Sequence, residues 1–127
     1  MAVELTKAID HRVLAGRLVF QPDANTTVST GITQHTSGEI FIVKINNIAN
    51  SAAVYVKLVD GTSATPGTTH PDWIFYAAGG ATVSYVMPLG VPYSAGLSLW
   101  AATGAESTGG DSNVSPTNDV IVHIVAI

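Results

Sequence analysis

The sequence predicts an all-β fold: an antiparallel β-sandwich or jelly roll of seven to eight strands, preceded by an N-terminal arm. Two observations carry this prediction. Short runs rich in β-branched and aromatic residues alternate with period two, and segments rich in Gly, Pro, Asn and Ser separate them. A length of 127 residues suits one domain with one core. We expect the arm over residues 1–20 and the β-sandwich domain over residues 21–127.

The clearest alternation lies in two consecutive runs in the first half of the chain. In "EIFIVKINNI", the residues Phe41, Val43 and Ile45 share one face, and "AAVYVKLVD" alternates in the same way over residues 54–59. The segment "NNIANSA" between them is typical of a turn, because Asn and Ser side chains can replace backbone hydrogen-bond partners. This pattern predicts a β-hairpin.

The same pattern continues to the last residue. Further strands are expected at "DWIFYA", "ATVSYVM", "GLSLWAA" and "DVIVHIVAI", and earlier ones at "TTVSTGI" and "VLAGRLVF". The sandwich could therefore start near Arg17 or near Thr26. The last run is apolar on both faces, which indicates a strand inside a sheet or under a partner.

The first 16 residues allow two interpretations. Leu5, Ile9 and Val13 lie at helical spacing and Gly16 could end a helix, but the segment could also be an extended arm. Charges interrupt this segment where a signal peptide would be apolar, and no run approaches the roughly 20 apolar residues of a membrane span. We expect a soluble chain that does not act at a membrane.

Composition excludes several function classes. The net charge is −4 and there are five Lys and Arg residues, too few for the clustered phosphate contacts of a nucleic-acid-binding protein. There is no cysteine, so disulfides, thiolate metal sites and cysteine nucleophiles are excluded.

The charged fraction is unusually low. It is 11%, against roughly 25% in an ordinary domain, and between Gly61 and Ala105 the only charged side chain is Asp72. Either another protein covers part of this neutral surface, or Ser, Thr, Asn and Gly keep it hydrated.

No motif for catalysis or for a cofactor was found. The chain lacks a nucleophile elbow, a phosphate-binding glycine loop and the HxH or HExxH spacing of a metal site. The histidines His11, His35, His70 and His123 are far apart, and His123 lies on an apolar strand where a core or interface role is typical. We expect no catalytic residue, no metal ligand and no cofactor.

The polar stretch "ESTGGDSNVSPTND", residues 106–119, is the best candidate for a cation site. Asp111, Asn113 and Asp119 supply oxygen ligands, but the order of an EF-hand loop is absent. Gly109 and Gly110 would bend the chain. A long hairpin loop is the default interpretation.

The aromatic residues could form a core, a subunit interface or a sugar-stacking platform. They are Trp73, Tyr76, Tyr85, Tyr93 and Trp100. Trp100 shares a face with Ser98, opposite Leu97 and Leu99, so we expect it to face a partner.

Four segments, in their order and spacing, carry a resemblance to a known group of proteins. They are Asn47 through Leu58, the "TPGT" loop Thr65 to Thr68, the "GLSL" strand Gly96 to Leu99, and the "NDVIVHI" segment Asn118 to Ile124. Over roughly residues 26–127 the chain resembles small β-sandwich virion proteins of tailed bacteriophages, of the capsid decoration (cement) type.

The resemblance implies a non-enzymatic virion component on the outer surface of the capsid, which binds the major capsid protein, stabilises the head and forms homotrimers. The charged arm departs from the group, so its Arg12 and Arg17 are candidates for a capsid or intersubunit contact. The other candidate interface residues are Trp73, Tyr85, Trp100 and His123. The alternative function is a receptor- or glycan-binding module of a fibre or tail, with Trp73, Tyr93 or Trp100 stacking on sugars.

Overall fold

The computed structural model describes residues 17–127, which form seven antiparallel strands in two sheets. The strands are β1 (Arg17–Ala24), β2 (Gly38–Asn46), β3 (Val54–Asp60), β4 (Trp73–Ala77), β5 (Thr82–Tyr93), β6 (Leu97–Ala102) and β7 (Val120–Ala126). The four-stranded sheet has the order β1-β7-β2-β5, and the three-stranded sheet has the order β4-β3-β6. The predicted all-β sandwich is confirmed.

The core lies between the two sheets, because alternate residues of each strand face the opposing sheet. The central strands β7 and β3 supply many of its most buried side chains, namely Val120, Val122, Ile124, Val54, Val56 and Leu58. These are the alternating positions that the sequence pattern assigned to single faces. The core is apolar and continuous, which gives the fold its main hydrophobic stabilisation.

The predicted hairpin of β2 and β3 is wrong. β2 pairs with β5 and β7, whereas β3 pairs with β4 and β6. Residues 47–53 therefore carry the chain from one sheet to the other. Residues 103–119 also connect the two sheets, from β6 to β7, so the polar loop is not a hairpin tip either. Alternation along a strand identifies the strand but does not identify its partner.

One residue of β2 departs from the predicted face. Val43 and Ile45 are buried as expected, but Phe41 is half-buried, and Ile40 enters the core instead. The register explains this difference, because Ile40 pairs with Ala126 and Ile42 pairs with Val125, which leaves Phe41 as an extra residue in the ladder. Such a β-bulge shifts the alternation by one residue, so the residues on its two sides point to faces that simple alternation does not predict.

Strand β5 is longer than predicted, since it continues through the expected loop "PLGVPYSA" as far as Tyr93. Ile42 pairs with Val86 and Ile40 pairs with Val91, so residues 87–90 bulge out opposite Phe41. We call residues 87–90 the β5 bulge. Gly90 has a φ of 78°, which other residues seldom adopt, and it allows the chain to return to the ladder.

The sequence allowed the sandwich to start near Arg17 or near Thr26, and the structure has the earlier start. β1 begins at Arg17, so residues 17–20 belong to the sheet and not to the arm. The segment "TTVSTGI" is not a strand, and it contributes a single bridge between Ser29 and Leu99. The rest of the predicted arm, including Arg12, lies outside the described residues.

One end of the sandwich is tied together by three side-chain amides, which we call the asparagine corner: Asn47, Asn50 and Asn118. The buried Nδ2 of Asn47 donates to the carbonyl oxygens of Ala52 at 3.0 Å and Ala78 at 3.1 Å. Asn50 Nδ2 donates to Asn47 Oδ1 at 2.9 Å, and Asn50 Oδ1 accepts from the backbone N–H of Asn118 at 2.8 Å. The Asn118 side chain donates to the carbonyl oxygen of Ala49 at 2.8 Å. The corner therefore links the β2–β3, β4–β5 and β6–β7 connections.

We expect Asn47→Ala to lower the free energy of unfolding by about 2 to 4 kcal/mol, because it removes the donors that satisfy buried carbonyl groups. Urea unfolding followed by intrinsic fluorescence measures this. The matched control is Asn46→Ala, since Asn46 accepts one hydrogen bond, from Ile48 at 3.1 Å, and is expected to cost less than about 1 kcal/mol. Equal losses for the two variants would contradict the role of the corner.

Candidate interaction surface

The four-stranded sheet turns one face away from the core, and we call it the outer face. Antiparallel partners point to the same side of a sheet, so the register gives its composition in rows across the strands. The rows are Phe20–His123–Lys44–Ser84, Val125–Ile42–Val86 and Ile121–Asn46–Thr82.

The outer face is accessible and carries apolar and polar side chains in equal number. Phe20 is 56% exposed and Val86 is 63% exposed, while the neighbouring Ile42, Ile121 and Val125 are half-buried. Lys44 is the one charged side chain in the three rows. The apolar row Val125–Ile42–Val86 is therefore a candidate contact site.

His123, a predicted interface residue, lies at the centre of the outer face. Its ring is 4.9 Å from the ring of Phe20, and it is half-buried between Phe20 and Lys44. Within residues 17–127, its Nδ1 atom is buried and has no hydrogen-bond partner. The prediction that β7 lies inside a sheet is confirmed, because β7 pairs with β1 and β2. The side of β7 that carries His123, however, faces away from the core.

The β5 bulge presents the most exposed large hydrophobic side chain of the described chain, Leu89, which is 93% exposed. The bulge packs closely against two side chains of β2 at Gly90, where an added Cβ atom would lie 3.0 Å from Phe41 Cε1 and from Glu39 Oε1. Close packing at Gly90 therefore fixes the position from which Leu89 projects.

In the three-stranded sheet, the chain itself covers the outer side of β6, whereas Ile74 and Tyr76 on the outer side of β4 are 39% and 47% exposed. Trp100 is only 1% exposed and packs with Val59 and Ala102 against Val28 and Ala64. The expectation that Trp100 faces a partner is therefore wrong. The alternation on β6 was interpreted correctly, but connecting segments bury both of its faces.

Lys57 is the residue that the sequence reasoning missed. Its side chain is fully buried beside Trp100, its cross-strand partner, and its Nζ donates to the backbone carbonyl of Glu106 at 2.6 Å. Burial lowers the pKa of the Lys57 ammonium below its ordinary value, and the nearby Glu106 carboxylate opposes this by raising it. An apolar strand with one Lys gives no signal that a distant loop covers that Lys.

The polar loop that was a candidate cation site is the segment that covers Lys57. Its turn is closed by backbone hydrogen bonds from Gly104 to Asp111 at 3.0 Å and from Ser112 to Gly109 at 3.0 Å, and Gly109 also donates to Gly67 at 3.1 Å. In the part of the chain that the structure describes, no group of three or more acidic or histidine side chains could hold a metal ion. The bends predicted at Gly109 and Gly110 are confirmed by their positive φ angles.

The other predicted interface residues lie mostly inside the fold. Trp73 is half-buried against the core, and the Tyr85 hydroxyl donates to the carbonyl of Tyr76 across the two sheets. Tyr93 is buried, and its hydroxyl bonds Thr33 Oγ1 and the Ile127 carbonyl, each at 2.8 Å. Arg17 pairs with Ala126 at the start of β1. Of the predicted residues whose side chains are described, only His123 lies on the outer face.

A pocket of about 230 Å³ lies beside the asparagine corner. Its lining consists of residues 49–54, Thr103 and residues 116–118, and none of these side chains titrates near neutral pH.

Over residues 17–127, no helix has the length and apolar character needed to cross a membrane.

Comparisons with known proteins give no relative for this chain. No family model, no curated protein and no solved structure matches it.

We expect the free energy of unfolding to rise between pH 7 and about 10.5, because the unfolded chain binds the Lys57 proton more tightly than the folded chain does. Lys57→Met, which carries no proton, is expected to reduce this rise. Urea unfolding at several pH values measures both. The control is Lys44→Met, on the exposed outer face, which is expected to leave the rise of the free energy of unfolding with pH unchanged. If Lys57→Met also left this rise unchanged, the lowered pKa of Lys57 would not be its cause.

Proposed function

We propose that this protein is a structural component of a bacteriophage virion, a capsid decoration protein that binds the major capsid protein lattice from outside. It acts as a homotrimer and carries out no catalysis. The observation that carries the proposal is the fully exposed Leu89 on the β5 bulge, within the segment of the sequence that is almost free of charge. The sequence resemblance to phage decoration proteins supports the same function.

The β5 bulge has the chemistry of an anchor. An exposed leucine that enters an apolar pocket of a partner contributes about 1.5 to 3 kcal/mol, and such anchors often dominate an interface. The two ends of the bulge are held in the ladder, since Val86 pairs with Ile42 and Val91 pairs with Ile40, and this limits the order that has to be gained on binding. On a repeating lattice, three copies in a trimer multiply this modest contribution.

The glycan-binding alternative has less support. Sugar stacking needs an exposed aromatic face, and two of its three candidate platforms, Trp100 and Tyr93, are buried. Trp73 is half-buried against the core.

We expect Leu89→Ser to weaken binding to expanded capsids of the phage that carries this gene by about tenfold to a hundredfold per contact. Co-sedimentation of the purified chain with capsids that lack it measures the affinity. The control is Ile48→Ser, which removes another exposed apolar side chain, 65% exposed, just beyond the end of β2 that is far from the β5 bulge.

Two outcomes would contradict the proposal. One is a wild-type chain that is a monomer by light scattering and does not sediment with capsids. The other is a Leu89→Ser chain that binds as tightly as the wild type does.

A further inference from the structure

The free edge of β4 is the sheet edge that no element of residues 17–127 protects. We propose that β4 pairs there with β4 of a second copy of the chain, antiparallel and about a two-fold axis at Phe75, so that two three-stranded sheets join edge to edge. This contact goes beyond the proposed function, because it links copies of the chain without a capsid and about a two-fold axis, not a threefold one.

The other sheet edges of the described chain are protected against further pairing. Proline cannot donate a backbone hydrogen bond, and it lies on both edges of the four-stranded sheet, at Pro22 in β1 and at Pro88 and Pro92 in β5. Residues 25–32 cover the edge of β6 through backbone hydrogen bonds. β4 has neither kind of protection, since Trp73–Ala77 includes no proline and no charged side chain.

The hydrogen bonds at the edge of β6 show which way its backbone groups point. Ser29 and Leu99 exchange two hydrogen bonds of 2.9 Å, so the N–H and C=O groups of Leu99 face away from β3. Neighbouring residues of an antiparallel strand direct their backbone groups to opposite sides. Trp100 therefore directs its groups toward its partner on β3, Lys57.

The same alternation, carried across β3, leaves the backbone groups of two β4 residues at the open edge. Lys57 directs its groups toward β6, so Val56 directs its groups toward β4, where its partner is Phe75. The N–H and C=O groups of Ile74 and Tyr76 therefore point away from β3.

Two further hydrogen bonds agree with this direction. The Tyr76 carbonyl accepts from the Tyr85 hydroxyl, which reaches it from the other sheet, and the Asp72 N–H donates to the Leu58 carbonyl at 2.8 Å. A carbonyl oxygen can accept a second hydrogen bond. Within residues 17–127, the N–H groups of Ile74 and Tyr76 have no hydrogen-bond partner on this side.

The open edge of β4 is complementary to itself. A two-fold axis at Phe75 places Ile74 opposite Tyr76 of the second copy, and Tyr76 opposite its Ile74, so both outward-directed residues form hydrogen-bonded pairs at once. Their side chains, 39% and 47% exposed, then meet as pairs of an aromatic and a β-branched residue, which are favourable. Since β4 carries no charge, no like charges are opposed.

The absence of cysteine allows a direct test by disulfide trapping. Ile74→Cys and Tyr76→Cys are oxidised mildly at high concentration, each alone and as an equimolar mixture. We expect the mixture to form several times more covalent dimer than either variant alone, because the Cα atoms of a hydrogen-bonded pair lie about 5.5 Å apart, whereas diagonal positions lie beyond about 7 Å. Ile48→Cys mixed with either variant is the control and is expected to form little dimer.

A second measurement uses charge at the edge. In the double variant Ile74→Lys, Tyr76→Lys, two lysines lie opposite each other in both pairs, and we expect self-association to weaken by at least about tenfold in sedimentation equilibrium. The matched double variant Ile48→Lys, Val114→Lys adds the same charge at exposed apolar positions elsewhere, and it is expected to associate as the wild type does. Urea unfolding checks that both variants are folded.

Two outcomes would overturn the proposal. One is a mixture of Ile74→Cys and Tyr76→Cys that forms no more covalent dimer than the single variants do. The other is self-association that the lysines on β4 leave unchanged. Both tests use the free chain, so their failure is separate from a failure of capsid binding, which Leu89→Ser tests.

Discussion

The fold depends on how the chain changes sheets. Three connections meet at the asparagine corner, and each brings backbone groups into a place where water cannot satisfy all of them. Asn47 solves this with one side chain, because an amide donates and accepts at once: it holds the carbonyl oxygens of Ala52 and Ala78 and accepts from Asn50. A fold with no disulfide and little charge has few other ways to fix two sheets to each other, so hydrogen bonds of buried amides take that role.

Lys57 holds the β6–β7 connection at a second point, and its burial opposes folding. Burial of an ammonium group opposes folding, and one short hydrogen bond to Glu106 offsets part of that penalty. In return, that hydrogen bond holds the loop after β6 over Lys57. Strand β6 is buried on both faces, whereas the outer side of β4 and that of the four-stranded sheet both keep exposed apolar side chains.

The sequence predicts the strands well and their partners poorly, for physical reasons. Val54, Val56 and Leu58 reveal their common face because side-chain direction is local. The pairing of β2 with β5 and β7 depends on contacts between distant residues, which alternation does not record. Phe41 was assigned to the wrong face because a bulge shifts the register without changing the pattern of residue types. Trp100 was expected outside because the alternation along β6 does not record that Val28 and Ala64, from distant connecting segments, pack over it.

The exposed apolar side chains decide which surface is left for a partner. Among residues 17–127, Leu89 is the most exposed large hydrophobic side chain, at 93%. It projects from β5, an edge strand of the four-stranded sheet. Such a single exposed leucine on a rigid bulge suits a partner that offers many identical pockets, because each contact is weak alone and repetition makes the attachment durable.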